Sequence, residues 1–541
     1  MKRTLPIYLL LFCLFPLLSL YAHNINELSQ EDLLYPAAFI AGVTLLLWAI
    51  CARGFRDAGK SGAFVSFLFI WFFAYGHIEN LMQQTPLKAA IMHQPMWILI
   101  PWAVVLAVVL IFIARSRWSS ASLTPLLNLV SIALVVTPIF RIATQEFARM
   151  QHDGSAPDLI VGENQTRKQT LPDIFYIVLD GYARADTLKD VYRYDNTSFL
   201  DFLRSRDFQI AGRSCTNYCQ TLLSLASTLN YEYLDEVLGS KITQSSHDRL
   251  PLKEAISNNK VISLLKQHGY TTIALATGYD WSKMRGADMM IDEYSGLSSF
   301  NNLLLSLTPL SLLHTGHADT NSKNYASHRK AVLFPLNCLS RMTRIDPPIF
   351  VYSHILAPHP PFVFTRDGKS RNPQRKFSIA DASDYRRSGG TEKEYLNDYR
   401  EQLIFLNGKV KIMIANIIAG STRPTIIILQ SDHGPGSHLA WDSPDPSATK
   451  ERMRNLCAIR FPPGTGITIP DEITPVNTFR IIFNQYFGMD MPLLENRSYY
   501  SSFKLPYTFN DVTATCSGTG ITPSHTKFTV SDNSMNKSPT P

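Results

Sequence analysis

The sequence predicts a multi-pass α-helical membrane domain followed by an α/β domain, that is, a largely parallel sheet covered by helices on both faces. Three observations lead to this prediction. Residues 1–150 contain five long apolar runs, most of them close to the ~20 residues that cross a bilayer. Residues 151–541 alternate short apolar runs with segments of helical spacing, which is the pattern of an α/β sheet. This second part is also long enough to bury a large core.

The apolar runs of the membrane part set its predicted orientation. They are Leu5–Ala22, Pro36–Ala52, Ala63–Gly76, Met96–Ala114 and Thr124–Phe140. The N-terminus and the two loops on one side of these runs hold seven Lys and Arg residues, and the two loops on the other side hold only Lys88. The excess of basic residues marks the cytoplasmic side, so the N-terminus lies inside and the α/β domain outside. The first run has a cleaved signal peptide as its alternative, but its length and the Leu20-Tyr21-Ala22 ending favour an uncleaved helix.

These observations divide the chain into four predicted parts. They are a transmembrane domain with five helices at 1–142, a juxtamembrane linker at 143–171, an extracytoplasmic catalytic domain at 172–516, and a disordered tail at 517–541. The net charge of +7 arises mostly in the first 150 residues, which carry 10 Lys and Arg against 6 Asp and Glu, whereas the remainder carries 41 against 38. The nearly neutral second part therefore argues against nucleic-acid binding.

The segment Asp173–Asp180 predicts a buried strand that ends in a carboxylate, because six of its eight residues are apolar and a glycine follows. Ligands of open α/β sheets bind at the carboxyl ends of strands, so Asp180 is a candidate metal or phosphate ligand. Further predicted strands are Phe208–Ala211, Thr271–Ala276, Pro348–His354, Thr425–Gln430 and Leu456–Arg460. Predicted helices are Thr197–Arg206, a helix from Thr221, Val261–His268 and Tyr395–Ala419.

Thr221 begins a segment of helical apolar spacing that follows a polar stretch. The free N–H groups at a helix N-terminus favour an anion, so Thr221 is a candidate site residue. The alternative is that Thr221 only caps the helix. Nearby, Cys215 and Cys219 are four residues apart, and outside the cytoplasm they form either a disulfide or two free thiols.

Asp432 and His433 follow the apolar strand Thr425–Gln430 after one serine. A buried carboxylate is costly unless it is paired or binds a metal. We favour metal binding over a structural Asp–His pair here, because Asp180 is expected at an equivalent sheet edge.

Several histidines differ in their context. His354 and His359 follow a predicted strand in a Pro-rich loop, and His438 follows a Gly-Pro-Gly turn, so these three are candidates for substrate binding or general acid catalysis. Three others lie in a polar, loop-like region and are predicted to be solvated: His314, His317 and His328.

Asp180, Thr221, Asp432 and His433 together form one coherent set of candidate ligands. Two carboxylates, one imidazole and one hydroxyl suit a single Zn²⁺ or Mn²⁺ ion, with Mg²⁺ as the alternative. Metal coordination lowers the pKa of a threonine hydroxyl and makes it a nucleophile. This set is suited to attack on phosphorus or sulfur.

Four motifs carry a family resemblance: the strand ending at Asp180, Gln220-Thr221-Leu-Leu-Ser-Leu-Ala-Ser-Thr-Leu-Asn, Ala357-Pro-His359, and Ser431-Asp432-His433-Gly434. They resemble the alkaline phosphatase/sulfatase superfamily, and in particular its membrane-bound transferase branch, which includes lipoteichoic acid synthases and lipid A phosphoethanolamine transferases. The resemblance implies five transmembrane helices and an extracytoplasmic sulfatase-like domain. It also implies Thr221 as nucleophile, Asp180, Asp432 and His433 as metal ligands, and His359 as a substrate-binding residue, while His354 and His438 match less closely.

Three features depart from the family patterns. The first metal carboxylate of those transferases is usually Glu, and here it is Asp180. The Asp-x-x-x-His set of two-metal members is missing near His354, which favours one metal. Neither Cys215 nor Cys219 lies in a C/S-x-P-x-R motif, which argues against sulfatase activity.

The resemblance implies a metal-dependent transferase at the bacterial inner (cytoplasmic) membrane. It would move a phosphoglycerol- or phosphoethanolamine-type head group from a membrane phospholipid to an envelope glycan or lipid, through a covalent intermediate on Thr221. The alternatives are a phosphodiesterase or phosphatase of the same superfamily, and a catalytically inactive envelope scaffold.

Overall fold

The structure is a computed structural model that describes residues 5–517 except 83–95, 117–119, 153–170, 240–241, 277, 293–298, 311–319, 347 and 374. The helices are α1 (Tyr8–His23), α2 (Gln30–Phe55), α3 (Ala58–Met82), α4 (Met96–Arg115), α5 (Ser120–His152), α6 (Ala185–Asp190), α7 (Thr197–Arg204), α8 (Thr221–Asn230), α9 (Leu234–Leu238), α10 (Leu250–Ser257), α11 (Lys260–Gln267), α12 (Ser299–Ser306), α13 (Thr320–Cys338), α14 (Ala382–Arg387), α15 (Glu392–Gly420), α16 (Pro446–Met453), α17 (Thr478–Phe487) and α18 (Thr513–Ser517). The strands are β1 (Asp173–Leu179), β2 (Phe208–Ile210), β3 (Thr271–Leu275), β4 (Met289–Ile291), β5 (Ile349–Ile355), β6 (Thr425–Gln430), β7 (Cys457–Arg460), β8 (Tyr499–Tyr500) and β9 (Asn510–Asp511).

The N-terminal part is a bundle of five apolar helices, as predicted. Helices α2 to α5 are long and apolar enough to cross a membrane, and few residues in the apolar windows of α2, α4 and α5 are buried, which suits contact with lipid. Helix α1 is shorter, with 16 residues, and packs against α2, α3 and α5. Its Cys13, Leu17 and Tyr21 are fully buried, so α1 lies inside the bundle.

Helix α15 also meets the length and composition of a membrane span, but it belongs to the α/β domain. Its Tyr399, Leu403 and Val410 are buried in the core on one face of the sheet. Its first turn carries Glu392 and Glu394. We therefore assign it as a sheet-covering helix whose apolar stripe faces protein.

The main sheet has seven strands in the order β2-β7-β6-β1-β5-β3-β4. The central strand β1 runs parallel to both neighbours, β5 and β6, and β3 is parallel to β5 and β4. Strand β7 is antiparallel to β6 and β2. The largely parallel sheet is thus confirmed. Strand β4 was not predicted, because it has only three residues and two of them are exposed methionines.

Both faces of the sheet are buried. Phe175, Ile177 and Leu179 of β1 enter the core that contains α15, and the alternate residues Ile174 and Tyr176 enter the core that contains α8. Burial on both faces explains why these strands are continuous apolar runs rather than alternating ones.

Helix α5 continues past the predicted end of the membrane domain at residue 142 and reaches His152. No glycine or proline lies between Phe140 and His152, so nothing in the sequence ends the helix there. Most of the predicted linker and nearly all of the predicted tail lie outside the described residues.

The α/β domain contacts the membrane bundle through α12 and α10. Phe300 and Leu304 on α12, with Leu307, pack into the core of the bundle, and the Gly76 N–H donates to the Leu307 carbonyl at 2.9 Å. At the start of α10, the Arg249 N–H donates to the Asn26 carbonyl, also at 2.9 Å. The α/β domain therefore packs directly against the membrane bundle.

Candidate metal centre and active site

The sheet topology brings three candidate residues to one edge. Strands β1, β5 and β6 are parallel neighbours, so their carboxyl ends lie side by side. Asp180 directly follows β1, His354 lies near the end of β5, and Asp432 lies two residues beyond β6. This is the edge at which open α/β sheets bind ligands.

Asp180, His354 and Asp432 form a buried cluster that fits a metal ion. One ligand atom from each lies within 4.8 Å of the other two, and the three residues are 1–2% exposed. Asp180 Oδ1 and Asp432 Oδ2 are buried and accept no hydrogen bond. Buried carboxylate oxygens without a donor are costly, and a divalent cation would satisfy both.

Thr221 and His433 border this cluster. Thr221 is the first residue of α8, and its Oγ1 lies 3.1 Å from His433 Nε2. The same Nε2 is 3.3 Å from Asp432 Oδ2 and 3.7 Å from Asp180 Oδ1. His433 Nδ1 lies 2.9 Å from the Gly434 carbonyl, so we assign the proton to Nδ1 and the lone pair to Nε2.

The electrostatics of the site favour an ionised Asp180 and a neutral His433. Burial acts to raise the pKa of Asp180, but the neighbouring histidines His359, His354 and His433 hold that pKa below its ordinary range. Burial, reinforced by the positive charge of Arg452, lowers the pKa of His433. Deprotonated ligands are the state that binds a metal.

His359 belongs to a second group of charged residues beside the cluster. His359 Nε2 lies 3.6 Å from Asp381 Oδ2. The Asp381 carboxylate also accepts hydrogen bonds from Arg452 Nη1 and, at 2.7 Å, from the Tyr395 hydroxyl. Arg452 Nη2 lies 3.0 Å from His433 Nε2, which joins this group to Thr221.

Sequence reasoning missed Asp381 and Arg452. Asp381 directly precedes the short helix α14 in a polar stretch, and Arg452 lies in the charged run Lys450-Glu-Arg-Met-Arg. Such segments look like solvated surface, and nothing in their local pattern marks the two residues.

The structure separates His438 from the other candidates. Its Nε2 lies 3.7 Å from Glu392 Oε1, and 44% of its side chain is exposed.

The prediction that His328 is solvated is wrong, because this residue lies on α13 and is 8% exposed. Burial lowers the pKa of His328 to about 4. The other two histidines predicted to be solvated, His314 and His317, lie outside the described residues.

A disulfide joins Cys215 to Cys516, across a sequence separation of 301 residues. Cys219 is a buried free thiol, so both predicted alternatives, a Cys215–Cys219 bond and two free thiols, are wrong. The short spacing was misleading because the partner comes from α18, at the far end of the domain. A structural disulfide is typical of extracytoplasmic proteins.

Residues 172–477, more than half of the chain, match the Sulfatase family model. A search of curated proteins finds no match. Similar solved structures include the periplasmic domain of EptC from Escherichia coli in complex with Zn (13% identity, TM-score 0.40, covering 63% of this chain and 92% of that one). They also include the integral membrane lipooligosaccharide phosphoethanolamine transferase A (EptA) from Neisseria meningitidis (13%, 0.41, 88% and 95%).

A third similar structure is the lipoteichoic acid synthase LtaP from Listeria monocytogenes (13% identity, TM-score 0.36, covering 62% of this chain and 79% of that one). These likenesses to solved structures are weak, so the assignment rests on the family model. The family model covers the chain from the residue before β1 to the residue before α17. It thus includes Asp180, Thr221, His354, Asp432 and His433. The chain therefore belongs to the sulfatase family.

Proposed function

We propose that the protein is a membrane-bound, metal-dependent transferase. It moves a phosphoglycerol- or phosphoethanolamine-type head group from a phospholipid donor to an envelope glycan or lipid acceptor. The observation that carries this proposal is the position of Thr221, whose Oγ1 lies 3.1 Å from His433 Nε2 at the border of the buried Asp180, His354 and Asp432 cluster.

Asp180, Asp432, His433 and Thr221 would hold one divalent metal ion, and His354 Nε2 lies close enough to contribute. The mixed oxygen and nitrogen donors suit Zn²⁺ or Mn²⁺, with Mg²⁺ as the alternative. When bound, such an ion would supply positive charge that lowers the pKa of the Thr221 hydroxyl and offsets negative charge on the phosphoryl group.

The reaction we propose has two displacements on the same phosphorus. Thr221 Oγ1 forms a bond to phosphorus while the bond from phosphorus to the lipid oxygen breaks. In net terms the proton that Thr221 loses is taken up by the lipid oxygen, and the lipid leaves as an alcohol. The acceptor hydroxyl then attacks this phosphorus, and Thr221 recovers its hydroxyl. His359 is placed to hold a non-bridging oxygen or to give the leaving oxygen its proton.

The membrane bundle supports a lipid donor. The basic residues of the loops favour a position of the α/β domain outside the cytoplasm, and the disulfide supports that side. The contact between Arg249 and Asn26 holds the domain against the loop that follows α1. We infer a bacterial inner membrane protein whose site faces the outer leaflet of that membrane.

The decisive test is the intact mass of the full chain after incubation with mixed bacterial phospholipids. The wild type should gain the mass of the transferred group, and Thr221→Ala should not. Thr228→Ala is the matched control, because Thr228 lies on the same helix and its hydroxyl donates to the Ser224 carbonyl. An adduct on Thr221→Ala would refute Thr221 as the nucleophile.

A hydrolase of the same family is the second candidate, and the observation that favours it is Asp180 in the place where the transferases usually have Glu. Head group released without any acceptor, and with no lasting adduct, would support hydrolysis. A purified protein that binds no divalent metal would support the inactive scaffold instead.

A further inference from the structure

We propose that Arg452 is a catalytic residue that donates a hydrogen bond from Nη2 to a non-bridging oxygen of the phosphoryl group carried by Thr221. This inference rests on the proposed function and deepens it, because it names the group that recognises the phosphoryl charge from the protein side. Neither the sequence motifs nor the candidate metal ligands include Arg452.

The guanidinium of Arg452 is buried and held from several sides. The side chain is 3% exposed. Nε donates to the Cys219 carbonyl at 2.8 Å, and Nη1 donates to the Asp381 carboxylate and, at 3.1 Å, to the Gly434 carbonyl. The group also lies 5.2 Å from the centre of the Trp441 ring. These contacts fix Nη2 in place before any substrate arrives.

The Arg452 Nη2–H group has a hydrogen-bond acceptor, His433 Nε2, that would not be available to it in the active site at work. It lies 3.0 Å from His433 Nε2, and Thr221 Oγ1 lies 3.1 Å from the same nitrogen. Because Nδ1 faces the Gly434 carbonyl, Nε2 carries the only lone pair of the ring. That lone pair serves one partner at a time. When that lone pair binds a metal ion, the Arg452 Nη2–H would be left without it.

A buried N–H group that loses its acceptor needs another, and a phosphoryl oxygen is well placed to be that acceptor. Thr221 Oγ1 and Arg452 Nη2 lie 3.1 and 3.0 Å from one shared nitrogen and so are at most 6.1 Å apart. A gap of this size can hold the non-bridging oxygens of a phosphorus bound to Thr221. Hydrogen bonds from arginine to phosphate are strong and directional.

The expected effect is on the transition state. In phosphoryl transfer, negative charge spreads over the three equatorial oxygens. A donor that is already fixed and shielded from water needs no rearrangement to meet that charge, and removing one such donor typically costs about 10²–10³ in kcat.

The competing explanation is that Arg452 only balances the charge of Asp381. A purely structural arginine would affect thermal stability but would leave the affinity for a phosphate anion unchanged once the protein is folded. Anion affinity therefore separates the two roles.

The test uses the full chain with Arg452→Lys and Arg452→Gln, and Arg454→Lys as the matched control. Arg454 is also buried, but it donates to Asp186 and to the Cys516 carbonyl. Each variant is made in the wild type and in the Thr221→Ala background. The readouts are metal content per chain, the dissociation constant for inorganic phosphate in the metal-loaded Thr221→Ala background, and the rate of adduct formation in the otherwise wild-type chain.

We expect both Arg452 variants to keep their metal, to bind phosphate at least about 10-fold more weakly, and to form adduct about 10²–10³-fold more slowly, while Arg454→Lys changes neither value. Near-normal phosphate affinity in folded Arg452→Lys would overturn the proposal. Loss of metal would also overturn it, because Arg452 would then act by positioning His433.

If Arg452→Gln fails to fold, Arg452→Lys still tests the proposal, because it keeps the charge but loses the forked donor geometry. If the wild type forms no adduct at all, the proposed function fails, yet the phosphate measurement still reports on Arg452.

Discussion

Replacing Asp381 by asparagine tests whether one carboxylate balances the charge buried beside the candidate nucleophile. Asp381 is 7% exposed and accepts hydrogen bonds from Arg452 Nη1 and the Tyr395 hydroxyl. Burial acts to raise its pKa, but Arg452 and His359 hold that pKa below its ordinary value. The side chain is therefore ionised at neutral pH, and the substitution removes a full charge without changing its size.

The loss should be large. Removing one partner of a buried ion pair costs about 3–5 kcal/mol, because the remaining charge has no compensation. The α/β domain has about 345 residues, so at about 2.1 cal/mol/K per residue its unfolding entropy near the midpoint is about 0.7 kcal/mol/K. The predicted fall in Tm of the α/β domain is therefore about 4–7 °C.

The assay is thermal unfolding of the metal-loaded full chain in one detergent at one scan rate, followed by tryptophan fluorescence. Asp201→Asn is the control. Asp201 pairs with Arg204 on the surface, with side chains 61% and 57% exposed, and such pairs contribute at most about 1 kcal/mol. The reasoning would be refuted by a shift for Asp381→Asn no larger than that of the control.

Three further outcomes are expected. Cys516→Ser removes a disulfide that closes a loop of about 300 residues, and it should lower the free energy of unfolding by about 2–5 kcal/mol, a loss that reduction of the wild type should reproduce in the same melting assay. Stripping the metal with a chelator should lower the Tm of the wild type, since a ligand that binds only the folded state stabilises it, and Asp432→Asn should lose this response. Burial acts to raise the pKa of Asp186, but Arg184 and Arg454 hold that pKa below its ordinary value. The ionised Asp186 therefore stabilises the folded state at pH values above the ordinary pKa. This stabilisation is lost as the pH falls through the lowered pKa of the folded state. Denaturation at a series of pH values should therefore show a stability gap between wild type and Asp186→Asn at pH 7 that closes in acid, and a gap that persists unchanged at pH 3 would contradict this sign.

Local pattern predicted the parts of the site that follow regular elements. Asp180 stands directly after an apolar run and Asp432 stands two residues after the strand that contains another, and both runs have the composition of a buried strand. Thr221 stands where polar residues change to helical apolar spacing. In such cases the sequence indicates both the strand or helix and the residue at which it begins or ends. A parallel sheet then brings the carboxyl ends of neighbouring strands together.

The rest of the site depends on contacts between distant segments. Asp381 and Arg452 lie in charged stretches, and only the packing of α14 and α16 around them makes them buried. His328 was misjudged for the same reason, since α13 turns it into the core. His438 shows the converse, because a histidine after a glycine turn has no fixed direction, and here it faces solvent.

Because α12 packs against the membrane bundle, expressing the α/β domain without the bundle should change the surface of that domain. A fragment that starts at residue 171 would lose the helices that cover Phe300, Leu304 and Leu307. Three large apolar side chains would then meet water as one patch, and a patch of this kind favours aggregation. Polar substitutions at these three positions should give a soluble, monomeric fragment with the sheet and its catalytic edge intact.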